Sequence, residues 1–411
     1  MRKFRVSKIN AKILRATFFF ARCLGLVFFR FKNSKDNVLV FEESGWNRRW
    51  WKWFTVILRL MPLCVTLYIF TLMIREVEKI HQIIRICQLL FTIPSYFSMI
   101  HLHFFHGREV IKLVNRYLNL FRQLRSLTVR KNIGFGGGQE LLLITTFFFY
   151  QFQEFVFLWS IVPLAISAKK ILLSACFAYA AFASNMILRI SFVWYLNLGV
   201  LFAEVKECMC FELQSQNVKT KNLHRRLKRI MEIFIDIIDV VSLLQGIINV
   251  YLFLNLFHKL FYIVVISNDM ITFLQFWKFL QWFLLIKVTI EIFAVVLAIQ
   301  ESINQFRHIQ ELTLDLFLAS ELKDWTKTVE IFVTHLHLKK FRVRLLDMFD
   351  VSTEFFLITI SGIVNYIIFI VQYVMESQNM QFLILFKYCL FSNSIHVAVY
   401  LQINYKRTVP C

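Results

Sequence analysis

Seven stretches of about 20 or more residues, each poor in charge, constrain this chain more than any motif does. They run 53–74, 83–105, 141–165, 172–203, 243–266, 279–300 and 353–374. A helix rises 1.5 Å per residue, so about 20 residues cross a hydrocarbon core of roughly 30 Å. The 411 residues are 58% hydrophobic, and a water-soluble fold would leave large apolar patches exposed. A transmembrane barrel needs short segments of alternating polarity, and these runs do not alternate. Only four Pro and ten Gly interrupt the chain, so long helices are feasible throughout. The sequence therefore predicts an all-α, polytopic membrane protein with seven transmembrane helices.

Charge orients the spans. Residues 1–52 carry 13 Lys and Arg, and the connections 106–140, 206–242 and 301–352 carry seven each. The alternate connections 75–82, 166–171 and 267–278 carry two, two and one. Basic residues collect in cytoplasmic loops, so the bias predicts a cytoplasmic N-terminus and an extracellular C-terminus. It also accounts for the net charge of +21 without a nucleic-acid partner. The expected organisation is a cytoplasmic N-terminal region, 1–52, with an interfacial helix over its apolar run from Thr17 to Phe29. A six-helix bundle, 53–352, follows, then the seventh helix, 353–374. An apolar tail, 375–411, follows, and two readings fit its segment 381–403: a stretch on the outer membrane surface, which Ser392, Asn393 and Ser394 favour, or an eighth span.

The basic loops are patterned. Residues 107–130 read as an amphipathic helix, 221–242 as a helix continuing into the fifth span, and 301–318 and 325–346 as further helical stretches. The glycines Gly134, Gly136, Gly137 and Gly138 form a joint before the third span, since no βαβ unit surrounds them. Cys208 and Cys210 lack a second pair at metal-ligand spacing, and the histidines His101, His103 and His106 lack carboxylate or Cys partners. Neither a metal nor another cofactor is expected, and no catalytic constellation suggests an enzyme.

Charges inside spans are costly and so carry information. Arg59 and Arg85 lie near span ends, where they can snorkel to the interface. Arg189, in the long fourth span, is expected to reach the cytoplasmic interface, and Lys259 to sit near an interface. Glu154 lies about 20 Å into the third span by helical rise. Lys287 and Glu291, one turn apart in the sixth span, share a face. Two readings fit the latter pair: a structural ion pair, or the polar floor of a ligand pocket between spans three, five and six.

In the seventh span, Glu354, Ile358, Ser361, Asn365, Ile368 and Gln372 recur at alternating four- and three-residue spacing, which is one helical face. Such a polar stripe serves either as glue between helices or, if several copies met around an axis, as the wall of a water-filled path. In the second case Glu354 would ring the cytoplasmic mouth and Ile368 would form an apolar constriction.

The same span reads Asn365-Tyr366-Ile367-Ile368-Phe369-Ile370-Val371-Gln372-Tyr373. This resembles the signature of insect gustatory receptors: Thr-Tyr, five apolar residues, Gln-Phe. Tyr366 and Gln372 match at the right spacing, while Asn365 and Tyr373 replace Thr and Phe. The resemblance implies a tastant-gated, non-selective cation channel in the plasma membrane, assembled as a homotetramer or with related subunits, with the seventh helix lining the pore and no G protein required. It implies a bitter or other non-volatile ligand, a gate at Gln372 and Tyr373, and a pocket in the outer half of the bundle. Outer-half aromatics at matching places are Phe157, Trp159, Tyr179, Phe261, Tyr262, Trp282 and Phe283, alongside Glu154, Lys287 and Glu291. The competing readings are a metabotropic seven-helix chemoreceptor and an odorant-receptor-type channel.

Overall fold

The computed structural model describes residues 7–26, 29–33, 39–43, 47–75, 80–105, 107–127, 138–161, 168–214, 220–272, 279–316, 327, 330–334, 336, 341–346 and 348–377. The elements are α1 (Ser7–Cys23), β1 (Phe29–Asn33), β2 (Leu39–Glu43), α2 (Asn47–Arg75), α3 (Ile80–Phe105), α4 (Gly107–Leu127) and α5 (Gly138–Ile161). They continue with α6 (Ala168–Gln214), α7 (Thr220–Thr272), α8 (Phe279–Leu316), β3 (Arg344–Leu345), β4 (Phe349–Asp350) and α9 (Thr353–Ser377). Six of the predicted spans fall within α2, α3, α6, α7, α8 and α9, and the third, 141–165, lies in α5 as far as Ile161, its last four residues being outside the described ones. Five of these contain, among the described residues, segments long and apolar enough to cross a membrane, from Trp53–Arg75 in α2 to Thr353–Gln372 in α9. The tail segment 381–403 lies outside the described residues.

Three helices far exceed a membrane's thickness. α6, α7 and α8 have 47, 53 and 38 residues, or about 70, 80 and 57 Å at 1.5 Å per residue. The helical stretches read at 221–242 and, as far as Leu316, at 301–318 are extensions of α7 and α8 beyond the apolar spans. At that end Phe202, Phe234, Phe306 and Phe332 pack edge-on and face-on, with ring centroids 5.3–6.0 Å apart. α4 buries Leu113, Val114, Tyr117, Leu120 and Leu124 on one face and exposes Lys112, Arg116, Arg122 and Arg125 on the other, the division its sequence pattern requires. The middle of α6 is buried on every side from Ser191 to Phe202, so it is the axis around which the bundle is built.

Two local features depart from the sequence reading. The predicted helical stretch 325–346 does not run to its end, because Arg344–Leu345 pairs antiparallel with Phe349–Asp350 and Leu346 takes a φ of 50° in the intervening turn. A left-handed residue cannot continue a right-handed helix. Arg342 and Arg344 both reach Asp350, at 3.6 and 3.0 Å, and hold the hairpin closed. Ser352 then caps α9, accepting the Phe355 amide on its hydroxyl at 3.1 Å.

The second departure is the N-terminal helix. α1 packs against α5 and α6, burying Ile13, Thr17 and Ala21. It ends in a Schellman turn: Leu26 N–H donates to Ala21 O and Gly25 N–H to Arg22 O, with Gly25 at φ +69°. A Cβ at Gly25 would lie 2.5 Å from Thr55, so glycine is required both by conformation and by space.

Candidate functional site

The functional side chains sit on helices whose apolar residues face one another, so each interior polar group must find a partner among its neighbours. α5, α6, α7 and α8 meet in one buried polar network. Arg189 Nη2 donates to Glu154 Oε1, and the guanidinium lies 4.4 Å over the Tyr150 ring. Asn185, one turn along α6, donates to the same Glu154 oxygen at 3.4 Å and accepts from Lys259 Nζ. Lys259 also donates to Glu291 Oε2 at 3.0 Å, and Lys287 Nζ stands 4.0 Å from Glu291 Oε1. Lys259, Lys287, Asn185 and Glu291 are all buried.

This geometry corrects three expectations. Arg189 does not extend to an interface, because Glu154 on α5 captures it inside the bundle. Lys259 is not interfacial, because it bridges Asn185 and Glu291. Lys287 is not the sole partner of Glu291, and the cross-helix contact with Lys259 is the shorter of the two. The network joins α5, α7 and α8, and α6 besides. Lys259 lies 13 residues before the end of α7 and Glu291 12 residues after the start of α8, so the network is about 20 Å from those helix ends.

Arg59 is likewise no snorkelling residue. It is 1% exposed and donates to Leu24 O at 2.8 Å and Met99 O at 3.3 Å. Tyr179 donates to the same Leu24 carbonyl at 2.6 Å. Arg59 and Tyr179 thus clamp the C-terminal end of α1, where free carbonyls and the helix dipole favour a cation. A further tie went unread in the sequence: Asn255 Oδ1 accepts from Ser95 at 3.1 Å and Ser184 at 2.7 Å, joining α3, α6 and α7. His258, beside it, meets Thr92 Oγ1 at 3.0 Å, and His101 meets the Tyr251 hydroxyl at 2.7 Å. Small polar residues scattered through apolar spans are the only sequence signal of these ties.

The aromatic pocket candidates do not form one cluster. Phe261 stacks on Phe91 at 4.6 Å, and Tyr262 lies alongside His258 at 6.4 Å. Phe283 packs edge-on against Phe152 at 6.2 Å, Trp282 is 44% exposed, and Tyr179 belongs to the α1 clamp. The side chains of Phe157, Trp159, Arg85 and Tyr373 lie outside the described residues.

α9 packs one face on α7 and α8, with Phe356 buried against Phe293 at 5.3 Å and Ile360 and Ile363 against the core. Its opposite face carries the stripe read from the sequence. Glu354, Ile358, Ser361 and Asn365 are exposed, while Ile368 and Gln372, and Tyr366 beside them, are half-buried. Among the described residues, no group of His, Cys, Asp and Glu has the arrangement to hold a metal.

The comparisons with known proteins concern this same set of helices. The family model for the 7tm chemosensory receptor matches residues 14–377. Putative gustatory receptor 92a of Drosophila melanogaster is 28% identical over 382 residues, 90% of this chain and 97% of that protein. Putative gustatory receptor 93b of the same organism is 28% identical over 393 residues, 92% of this chain and 97% of that one. The insect olfactory receptor OR5 from Machilis hrabei aligns with a TM-score of 0.61 at 15% identity, covering 90% of this chain and 100% of its own. The same receptor in complex with eugenol gives 0.58 at 16% identity, covering 89% and 98%. At that identity the likeness bears on fold alone. The family match begins inside α1 and stops where α9 ends, so it takes in the buried network, the clamp and the polar stripe together: the chain belongs to the 7tm chemosensory receptor family.

Proposed function

We propose that this chemosensory receptor is a gustatory, tastant-gated cation channel of the plasma membrane. Four copies, identical or mixed with related subunits, gather α9 around a common axis. The observation that carries the reading is the exposed face of α9. Glu354, Ser361 and Asn365 point away from the subunit's own bundle, and facing lipid would cost each of them several kcal/mol. Copies meeting around water remove that cost and produce a conduit. Glu354 then lies at the mouth and concentrates cations, and Ile368 and Gln372 form the constriction with Tyr373.

The basic-loop bias supports a cytoplasmic N-terminus; on that orientation Glu154, Asn185, Lys259, Lys287 and Glu291 are read as the floor of the tastant site, with Phe261, Tyr262 and Phe283 on the outer side of it. A small non-volatile organic compound, of the bitter type, binds above that floor. The eugenol complex of the olfactory relative supports a small-molecule ligand in this fold. Binding there shifts α7 and α8, on which α9 rests, and no G protein intervenes.

Whole-cell recording in a heterologous cell under G-protein blockade, against a tastant panel, tests the reading. Currents are expected to survive blockade, and Gln372→Ala is expected to change their relative cation permeability. Loss of every response under blockade would refute direct gating. Lys287→Met at matched surface expression is expected to shift ligand sensitivity about tenfold, the effect of roughly 1.4 kcal/mol. Unchanged sensitivity would remove the polar floor from the ligand site.

A further inference from the structure

A shallow, open crevice lies between α1, α5 and α6. None of the aromatic pocket candidates lines it. Its wall is mostly apolar, with Leu143, Phe147, Met186 and Phe192, and four polar side chains, Thr17, Tyr150, Gln151 and Arg189, line it. The Tyr150 hydroxyl and Arg189 Nε are both buried and have no hydrogen-bond partner among the described residues. Two unmatched donors on one apolar crevice call for an acceptor, since an unmet buried donor costs about 1–3 kcal/mol.

Charge identifies the acceptor further. Behind the crevice, among the described residues, Arg189, Lys259 and Lys287 meet Glu154 and Glu291. A guanidinium enclosed by apolar helices favours an anionic acceptor over a neutral one. Arg189 is placed to receive that anion. Glu154 occupies its Nη2 and does not line the crevice, although Glu154 Oε2 also lacks a donor. Arg189 Nε remains for one oxygen of a carboxylate and the Tyr150 hydroxyl for the other. Phe20 also lines the crevice, on α1, and is 42% exposed, marking an apolar way out.

We propose that this crevice is a second binding site, for a long-chain carboxylic acid taken up from the bilayer. Its carboxylate is held by Arg189 Nε and the Tyr150 hydroxyl, and its chain leaves past Phe20.

The test uses the full-length receptor in phosphatidylcholine nanodiscs with a photoreactive diazirine palmitic acid as probe, followed by peptide mapping. Labelling is expected on α1, α5 and α6 near the crevice. Unlabelled palmitate should compete at least tenfold better than methyl palmitate, which lacks the charge. Tyr150→Phe, which removes only an unpartnered hydroxyl and leaves the fold intact, is expected to weaken labelling about fivefold. Met186→Trp, which fills the crevice, should abolish it in receptor that still elutes as a single folded species. Equal competition by the methyl ester would overturn the proposal, and so would labelling that neither variant changes or that maps away from these helices.

Discussion

Glu291 faces two lysines on two helices, and that asymmetry sets what its loss would do. Glu291→Leu removes the carboxylate that Lys259 and Lys287 share inside the bundle, a loss of the order of 3–5 kcal/mol. The expected outcome is a strongly lowered thermal midpoint of the detergent-solubilised receptor and poor surface expression. Lys259→Met added to Glu291→Leu removes one charge of each sign and should recover at least half of that loss. Additive damage in the double variant would show that the two residues do not act as a pair. The sequence made Lys287 and Glu291 visible as partners because they lie one turn apart. It could not pair Lys259 with Glu291 or Arg189 with Glu154, because those contacts join residues 32 and 35 positions apart on different helices.

At the scale of elements, two helix ends make separate predictions. Gly25 closes α1 in a left-handed conformation against Thr55, so Gly25→Ala combines backbone strain with a steric clash. It should cost more than about 1 kcal/mol and appear as a lowered thermal midpoint. Ser352 caps α9, and Ser352→Ala should cost about 1 kcal/mol while shifting the agonist dose–response curve, because the cap sets where the stripe-bearing helix begins. A dose–response curve that does not move would separate the cap from gating. Helix existence was legible here from apolar length alone, and the amphipathic face of α4 from its period. The hairpin at Arg344–Asp350 was not, because its turn depends on one Leu at positive φ, a conformation that no leucine advertises in sequence.

For the whole molecule, the prediction concerns how copies meet. Ser361 lies on the exposed face of α9, and Ile363 lies on the face packed against the subunit's own core. With copies gathered around α9, Ser361→Cys should cross-link between subunits under mild oxidation, giving species above the monomer on non-reducing gels. Ile363→Cys should give no more than the unmodified receptor, whose own exposed Cys23 and Cys64 set the background. Equal cross-linking at both positions would count against an axis at this stripe.

The sequence by itself determined that the chain is a bundle of membrane-length helices, where those helices lie, and that one of them carries a polar stripe. These properties follow from length, apolarity and period, which are local and can be counted along the chain. Only the tertiary structure decided what the interior charges do. It turned Arg59 from a snorkelling residue into a clamp on α1, and it joined Glu154, Arg189, Lys259, Lys287 and Glu291 into one network. The physical reason is that a charge inside a membrane bundle must be met, and the group that meets it lies on another helix, at a distance along the chain that no periodicity encodes. The seven apolar runs marked the membrane-length helices, and packing decided which residues touch, those of α1 and α4 included.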